Sequence, residues 1–126
     1  MGIRIGYLTD VHLRKHVLGT SSIEKRHCRE MAELLPRALN RIARESPDVV
    51  VCTGDLLDVP AGPGVVQDLQ FCKEVFDDCG FPYLVLPGNH DPLPHDFYQV
   101  FPKPQRNVMI NASELISTRQ VRNLRL

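Results

Sequence analysis

Residues 48–58 read DVVVCTGDLLD, in which the mostly apolar residues 48–53 are followed by a glycine and an acidic residue. An unbroken apolar run of this length, unlike an alternating pattern, predicts a strand buried on both faces of a sheet. Residues 3–9 (IRIGYLT) and 82–86 (PYLVL) have the same character and predict two further strands. Three buried strands of this kind are typical of a parallel sheet.

Helical patterns separate the three predicted strands. Residues 22–45 and 65–79 repeat apolar side chains at helical spacing, and Pro36 is expected to kink or divide the first helix. The order is then strand, helix, strand, helix, strand, which predicts an α/β fold with a mostly parallel sheet and right-handed crossovers. Such sheets bind ligands at the carboxyl ends of their strands.

Polar side chains come directly after each predicted strand, at its carboxyl end. Asp10 and His12 follow the first strand, Asp55 the second, and Asn89 and His90 the third. Carboxylate, imidazole and amide groups together suit a borderline divalent metal such as Mn, Fe or Zn. The glycine before Asp55 and the glycine before Asn89 allow the chain to leave each strand in a sharp turn. A metal site is therefore predicted where the three loops meet.

Three short motifs carry a family resemblance. They are D-x-H at residues 10–12, G-D-x-x-D at residues 54–58 and G-N-H-D at residues 88–91, in that order and each after a strand. Over residues 3–91 the chain resembles the calcineurin-like metallophosphoesterases. That likeness implies the βαβαβ half of an αββα sandwich and metal-dependent hydrolysis of a phosphate ester. It also implies two divalent metal ions that activate a bridging water for in-line attack.

The resemblance also implies a role for each motif residue. Asp10 and His12 are expected to ligate the first metal, and Asp55 to bridge both metals. Asn89 is expected to ligate the second metal and to help hold the phosphate. His90 is expected to stand at the leaving-group oxygen as a general acid.

Asp58, the last residue of G-D-x-x-D, matches an acidic position that in some members of the family pairs with this histidine. Such a pair would raise the pKa of His90 and keep the imidazole charged. Asp58 is therefore expected to support catalysis, although it is nearly as well explained as a residue that structures its own turn.

The chain departs from the family pattern in its second half. The family continues with one further histidine and a G-H-x-H motif, but no histidine follows His95 here. The second metal would keep only Asp55 and Asn89, so that site is predicted to be incomplete. The fold is likewise predicted to be truncated, with an uncovered sheet face that exposes apolar residues.

Three explanations for this departure stay open. The chain is a fragment of a longer enzyme, it is completed by a partner or a second copy, or it is an inactive metal-binding or interaction module. Residues 1–110 are predicted to form the partial domain and residues 111–126 a helical tail. Val59 stands where the protein phosphatase branch has an Arg, which favours a phosphodiester or nucleotide-type substrate over a phosphoprotein.

Composition and the start of the sequence indicate which partners and which cellular location to expect. The 126 residues have 15 basic and 15 acidic side chains, so a nucleic-acid partner is neither implied nor excluded. The start of the sequence has no signal-peptide pattern, which predicts a cytoplasmic protein without a membrane segment. Its four cysteines are expected to be reduced. His16 and His95 are expected to be exposed loop residues.

Overall fold

A computed structural model describes residues 2–23 and 25–103. The first five elements follow the predicted order and are β1 (Ile5–Leu8), α1 (Met31–Ala43), β2 (Val49–Cys52), α2 (Val65–Asp78) and β3 (Tyr83–Val85). A short helix that was not predicted, α3 (Pro94–Phe97), comes next. None of the helices in this part of the chain has the length and apolar character that a membrane crossing requires. The predicted tail at residues 111–126 lies outside the described residues, so the domain boundary stays a prediction.

The three strands form one parallel sheet in the order β1-β2-β3, as predicted. Leu8 is paired with Cys52, and Cys52 in turn with Val85, so the last residues of all three strands lie side by side. The loops that follow them, residues 9–13, 53–58 and 86–91, therefore leave the sheet at one edge, which we call the carboxyl edge.

The hydrophobic core lies between the sheet and the helices. Val50 and Cys52 of the sheet are buried with Leu39 of α1 and Phe76 of α2. Burial of these apolar side chains is the main stabilising contribution to the fold. Gly6 lies under α1, because a Cβ atom at this position would come within 2.5 Å of Ile42 Cγ2.

The first helix differs from its prediction at two points. It begins at Met31 rather than near residue 22, and Pro36 lies inside it without dividing it. The preceding loop is held by tertiary contacts, because Ser21 and Arg26 donate hydrogen bonds to Asp58. These contacts favour a loop where the apolar periodicity alone predicted a helix.

The sheet is not covered equally on its two faces. Ile5 and Tyr7, which alternate with Gly6 on β1, are 54% and 59% exposed. The expected burial of β1 on both faces is therefore wrong, whereas the expected exposure of apolar residues on one sheet face is confirmed. We call the side of β1 that carries Ile5 and Tyr7 the outer face.

Candidate metal centre

The first two motif loops continue side by side beyond the ends of β1 and β2. The Asp10 amide donates to the Gly54 carbonyl at 3.1 Å, and the His12 amide donates to the Asp55 carbonyl at 2.9 Å. A further bridge joins Leu13 to Leu57. The backbone pairing therefore fixes Asp10, His12 and Asp55 relative to one another.

The same three residues have an unusual backbone conformation. Asp10, His12 and Asp55 have φ angles of 55°, 50° and 53°. In the described ranges only one other non-glycine residue, Ser46, has a positive φ. Left-handed conformations of non-glycine residues cost free energy and persist where the surrounding structure imposes them, often at functional sites. This strain occurs at three of the four residues that the sequence predicted as metal ligands, and Asn89, the fourth, does not share it.

Their side chains converge. His12 Nε2 lies 3.6 Å from Asp10 Oδ1 and 4.0 Å from Asp55 Oδ2. One ligand atom from each of the three residues lies within 4.8 Å of the others, and this is the one such His, Cys, Asp or Glu cluster in the described part of the chain. Two carboxylates and one imidazole fit a borderline divalent cation, which would also relieve the repulsion between the carboxylates.

The glycines of the second and third motifs allow those loops to touch. A Cβ atom on Gly54 would lie 2.4 Å from the Gly88 amide nitrogen. A Cβ atom on Gly88 would lie 2.2 Å from Asp55 Oδ1 and 2.5 Å from its amide nitrogen. The sharp turn expected at Gly54 is present, with φ at 105°. The close approach of the two loop backbones is therefore a second reason why glycine is required at both positions.

Asp91, the last residue of G-N-H-D, joins the same two loops. Its carboxylate is buried and accepts hydrogen bonds from the Leu57 amide at 2.9 Å and the Gly88 amide at 2.8 Å. Burial raises the pKa of Asp91 although backbone hydrogen bonds oppose the shift, and the negative charge of Asp55 raises it further. The sequence indicated Asp91 only as part of a motif, without this role.

His90 lies against the cluster. Its amide donates to Asp55 Oδ1 at 2.9 Å, and its ring packs edge to face on His12 with the ring centroids 4.8 Å apart. His90 Nδ1 lies 3.0 Å from the Asp58 carbonyl oxygen, which can only accept a hydrogen bond. Nδ1 therefore carries the hydrogen, and Nε2 is the nitrogen left for chemistry at the site.

The predicted pairing of the Asp58 carboxylate with His90 is wrong. Asp58 Oδ2 accepts from Arg14 Nε at 2.9 Å and Nη2 at 2.7 Å, while Oδ1 accepts from Ser21 and Arg26. Burial by itself raises the pKa of Asp58, but these hydrogen bonds outweigh it and hold the pKa below its ordinary value. The Asp58 carboxylate therefore pairs with two arginines, and only the Asp58 backbone carbonyl contacts His90.

The loop after β1 is held by a carboxylate that the sequence did not reveal. Asp68 of α2 is fully buried and accepts from the amides of Lys15 at 3.0 Å and His16 at 2.6 Å. It also accepts from the Val17 amide and contacts His16 Nδ1 at 2.8 Å. His16 is a partly exposed loop residue, as expected, but its ring is oriented rather than free.

Asn89, His95 and the cysteines complete the set of predicted residues. Asn89 is exposed in the turn between Gly88 and His90, and its ligation of a second metal stays a prediction. His95 is exposed on α3. All four cysteines are free, as expected. Cys52 lies directly below the site, where burial raises the pKa of its thiol to about 11 and keeps it protonated.

The family model for calcineurin-like phosphoesterases matches residues 3–121. The chain belongs to this family. Among solved structures it is similar to a dimetal phosphatase from Danio rerio, with 25% sequence identity and a TM-score of 0.57. That match covers 70% of this chain but only 29% of the Danio rerio protein. No curated protein sequence matches this chain.

Proposed function

We propose that this calcineurin-like phosphoesterase chain supplies the metal-holding part of an enzyme that hydrolyses phosphate esters. The convergence of Asp10, His12 and Asp55, each in a left-handed backbone conformation, is the observation that carries the proposal. Membership of the family and the likeness to a dimetal phosphatase support it. The expected cofactors are two divalent ions from among Mn, Fe and Zn.

In this proposal Asp10, His12 and Asp55 hold the first metal, and Asn89 joins Asp55 at the second. Bound metal ions supply a Lewis acid for the phosphoryl group and lower the pKa of water. The chain itself positions the donors, because the paired loops fix their backbone and Gly88 lies close against the Asp55 carboxylate. Preorganised groups need no rearrangement at the moment of reaction.

His90 acts in the proposal as the general acid. The Asp58 carbonyl accepts the hydrogen of Nδ1, so a proton held on Nε2 is the one available to the leaving-group oxygen. The ring is further fixed by its contact with His12 and by the amide hydrogen bond to Asp55. The Asp58 backbone carbonyl therefore orients the His90 ring, and the Asp58 carboxylate stabilises the surrounding loop.

We propose a phosphodiester or nucleotide-type substrate. The support comes from Val59, which stands where phosphoprotein phosphatases of this family carry an Arg. A cytoplasmic location is part of the same proposal, and the four free cysteines support it, because thiols persist in a reducing compartment.

A second candidate function is a metal-binding or interaction module without catalysis. The observation that favours it is that the described residues hold one three-ligand cluster, while Asn89 is exposed beside it. A second ion would need further ligands, from another segment or from a partner chain. The two candidates differ in the number of ions that the chain retains.

Metal stoichiometry after loading with manganese tests the proposal, together with hydrolysis of bis(p-nitrophenyl) phosphate. We expect Asp55→Asn to lower metal content and turnover together, since it removes the shared carboxylate. Asp78→Asn is the matched control, because this exposed carboxylate lies at the end of α2. Two retained ions with turnover support the enzyme, and one ion without turnover favours the module. Normal metal retention in Asp55→Asn contradicts a shared centre.

A further inference from the structure

A buried arginine lies next to the loop that contacts His90. Arg14 comes two residues after His12, and its side chain is only 9% exposed. Its Nε and Nη2 donate to Asp58 Oδ2 at 2.9 and 2.7 Å, and its Nη1 donates to the Leu18 carbonyl at 2.7 Å. Three directional hydrogen bonds from a planar group hold the guanidinium in one orientation. Arg14 is not a candidate metal ligand, so its burial needs another explanation.

Asp58 is held at its backbone and at its side chain by residues 13 and 14. Its amide donates to the Leu13 carbonyl at 3.1 Å, while its carboxylate accepts from Arg14. With amide and carboxylate both held, the Asp58 carbonyl can turn only by rotation about one backbone torsion, because the peptide group is planar. The direction of this carbonyl therefore depends on the contact with Arg14.

Arg14 makes the closer contact of the two arginines that bind this carboxylate. Arg26 donates one hydrogen bond to Asp58 Oδ1, at 3.1 Å, from a side chain that is 20% exposed. Arg14 donates two shorter ones from a more buried position. Hydrogen bonds between charged groups are stronger where water is excluded. Removal of Arg14 should therefore loosen Asp58 more than removal of Arg26.

The Asp58 carbonyl accepts the hydrogen of His90 Nδ1 at 3.0 Å. A hydrogen bond from one ring nitrogen to a carbonyl fixes the orientation of an imidazole and leaves the other nitrogen for chemistry. In the proposed function, that other nitrogen, Nε2, protonates the departing oxygen. A ring that could turn would present Nε2 correctly for only part of the time, and the rate would fall.

We infer that Arg14 is a positioning residue for the general acid. By holding the Asp58 carboxylate, it keeps the Asp58 carbonyl on His90 Nδ1 and leaves Nε2 for the leaving group. The inference rests on the proposed function and adds a residue to it. As water attacks phosphorus, the bond from phosphorus to the alcohol oxygen breaks, and the proton on Nε2 goes to that oxygen. Arg14 itself neither gives nor takes a proton.

Leaving-group dependence distinguishes the positioning of an acid from a general loss of structure. Bis(p-nitrophenyl) phosphate and diphenyl phosphate have the same charge, but phenolate is more basic than p-nitrophenolate and gains more from protonation. We expect Arg14→Ala to lower kcat roughly tenfold more for diphenyl phosphate, a part of the full contribution of a general acid. A variant that merely lost folded protein would lower both rates equally.

Arg29→Ala is the matched control. Arg29 holds the same loop after β1 by donating to the carbonyls of Lys15, Val17 and Gly19. These three partners do not include Asp58. The ratio of the two kcat values should therefore stay at its wild-type value in Arg29→Ala. An equal change of this ratio in Arg14→Ala and Arg29→Ala overturns the positioning role.

The Nδ1 hydrogen of His90 gives a second readout, which does not need turnover. A hydrogen bond slows the exchange of this hydrogen with water, so its signal is visible in proton–nitrogen NMR spectra. The zinc-loaded chain is used because zinc is diamagnetic, and His90→Ala assigns the signal. We expect the signal in wild type and in Arg29→Ala, and its loss in Arg14→Ala.

Asp58→Asn tests the same contact from the other side and decides the matter if Arg14→Ala does not fold. An amide in place of the carboxylate binds the arginine more weakly. We expect a weaker Nδ1 hydrogen signal of His90 and a change of the kcat ratio in the same direction as in Arg14→Ala. Wild-type values of both quantities in Asp58→Asn contradict the inference.

The two readouts separate failure of the inference from failure of the proposed function. In a chain with turnover, a kcat ratio that Arg14→Ala does not change overturns the positioning role and leaves the hydrolytic function standing. In a chain without turnover, loss of the His90 signal in Arg14→Ala supports the positioning of the ring and contradicts catalysis. A signal that persists in Arg14→Ala overturns the inference in either case.

Discussion

The carboxyl edge of the sheet and the outer face of β1 lie next to each other but differ in how tightly they are packed. At the carboxyl edge three loops are so close that Gly54 and Gly88 have no room for a Cβ atom. On the outer face Ile5 and Tyr7 are more than half exposed. The difference shows that the loops of the candidate metal centre are packed against one another, while one side of β1 has no covering layer among the described residues.

The contrast also separates two kinds of interaction. The loops at the edge are joined by buried polar contacts, among them those of Asp91 and Asp58. Such contacts are directional, and losing one partner leaves a buried group unsatisfied. Within residues 2–23 and 25–103, the outer face has one exposed side-chain hydrogen bond, between Tyr7 Oη and Thr53 Oγ1 at 2.8 Å. Substitutions at the edge should therefore have large effects and those on the outer face small ones.

The largest effect is expected from His90→Ala. Loss of a general acid should lower phosphodiesterase turnover by about 10² to 10⁴-fold. Metal content should not change, since His90 contacts the cluster through its ring and amide rather than as a predicted ligand. Elemental analysis and initial rates measure both quantities. His95→Ala, an exposed histidine on α3, is the control, and unchanged turnover in His90→Ala would sink the assignment.

The position of the candidate metal ligands could be predicted because it depends on short-range rules. Asp10, His12 and Asp55 follow apolar strands, and parallel strands bring their carboxyl ends to one edge. The βαβαβ order follows from the same apolar runs. In these parts of the chain the local pattern and the tertiary structure favour the same conformation.

The sequence predictions failed where a residue far away in the sequence determines the local structure. The Asp58 carboxylate is bound by Arg14, which is 44 positions away, so no local spacing indicates the pair. Arg26 joins the same carboxylate, and the chain near it forms a loop where helical periodicity was present. Asp68 lies in a helix and holds a loop more than 50 positions away. Only tertiary structure identifies such partners.

Gly88→Ala tests the crowding at the edge directly. The added methyl group would meet Asp55 Oδ1 at 2.2 Å and its amide nitrogen at 2.5 Å, so the third loop must move. We expect unfolding free energy to fall by about 3 kcal/mol, as overpacking does, with loss of metal binding. Urea unfolding and metal analysis measure these effects.

Gly80→Ala is the matched control for that substitution. Gly80 has a φ of 78° but no atom within 4 Å of an added Cβ. Gly80→Ala should lower the free energy of unfolding only by the backbone strain, about 1 kcal/mol, and should leave the metal content unchanged. Equal effects of the two substitutions would mean that crowding at Gly88 is unimportant.

A smaller effect is expected from Asp58→Asn. Arg14 is buried beside this carboxylate and would lose its charged partner, for a cost of roughly 2 kcal/mol at neutral pH. The pKa of folded Asp58 lies below its ordinary value. Its contribution is therefore complete above about pH 4 and is lost as the pH falls through the folded-state pKa. Urea unfolding at several pH values should show wild type and variant converging in acid; a constant difference contradicts the ion pair.

The smallest effect is expected on the outer face. Tyr7→Thr keeps a residue that favours strands and removes an exposed ring, so unfolding free energy should change by about 0.5 kcal/mol or less. Val50→Thr is the control on the opposite face of the same sheet, where the side chain is 1% exposed. There a buried hydroxyl replaces a packed methyl group and should cost roughly 1 to 3 kcal/mol. If Tyr7→Thr costs as much as Val50→Thr, the outer face is packed in solution, and the contrast between edge and face does not hold.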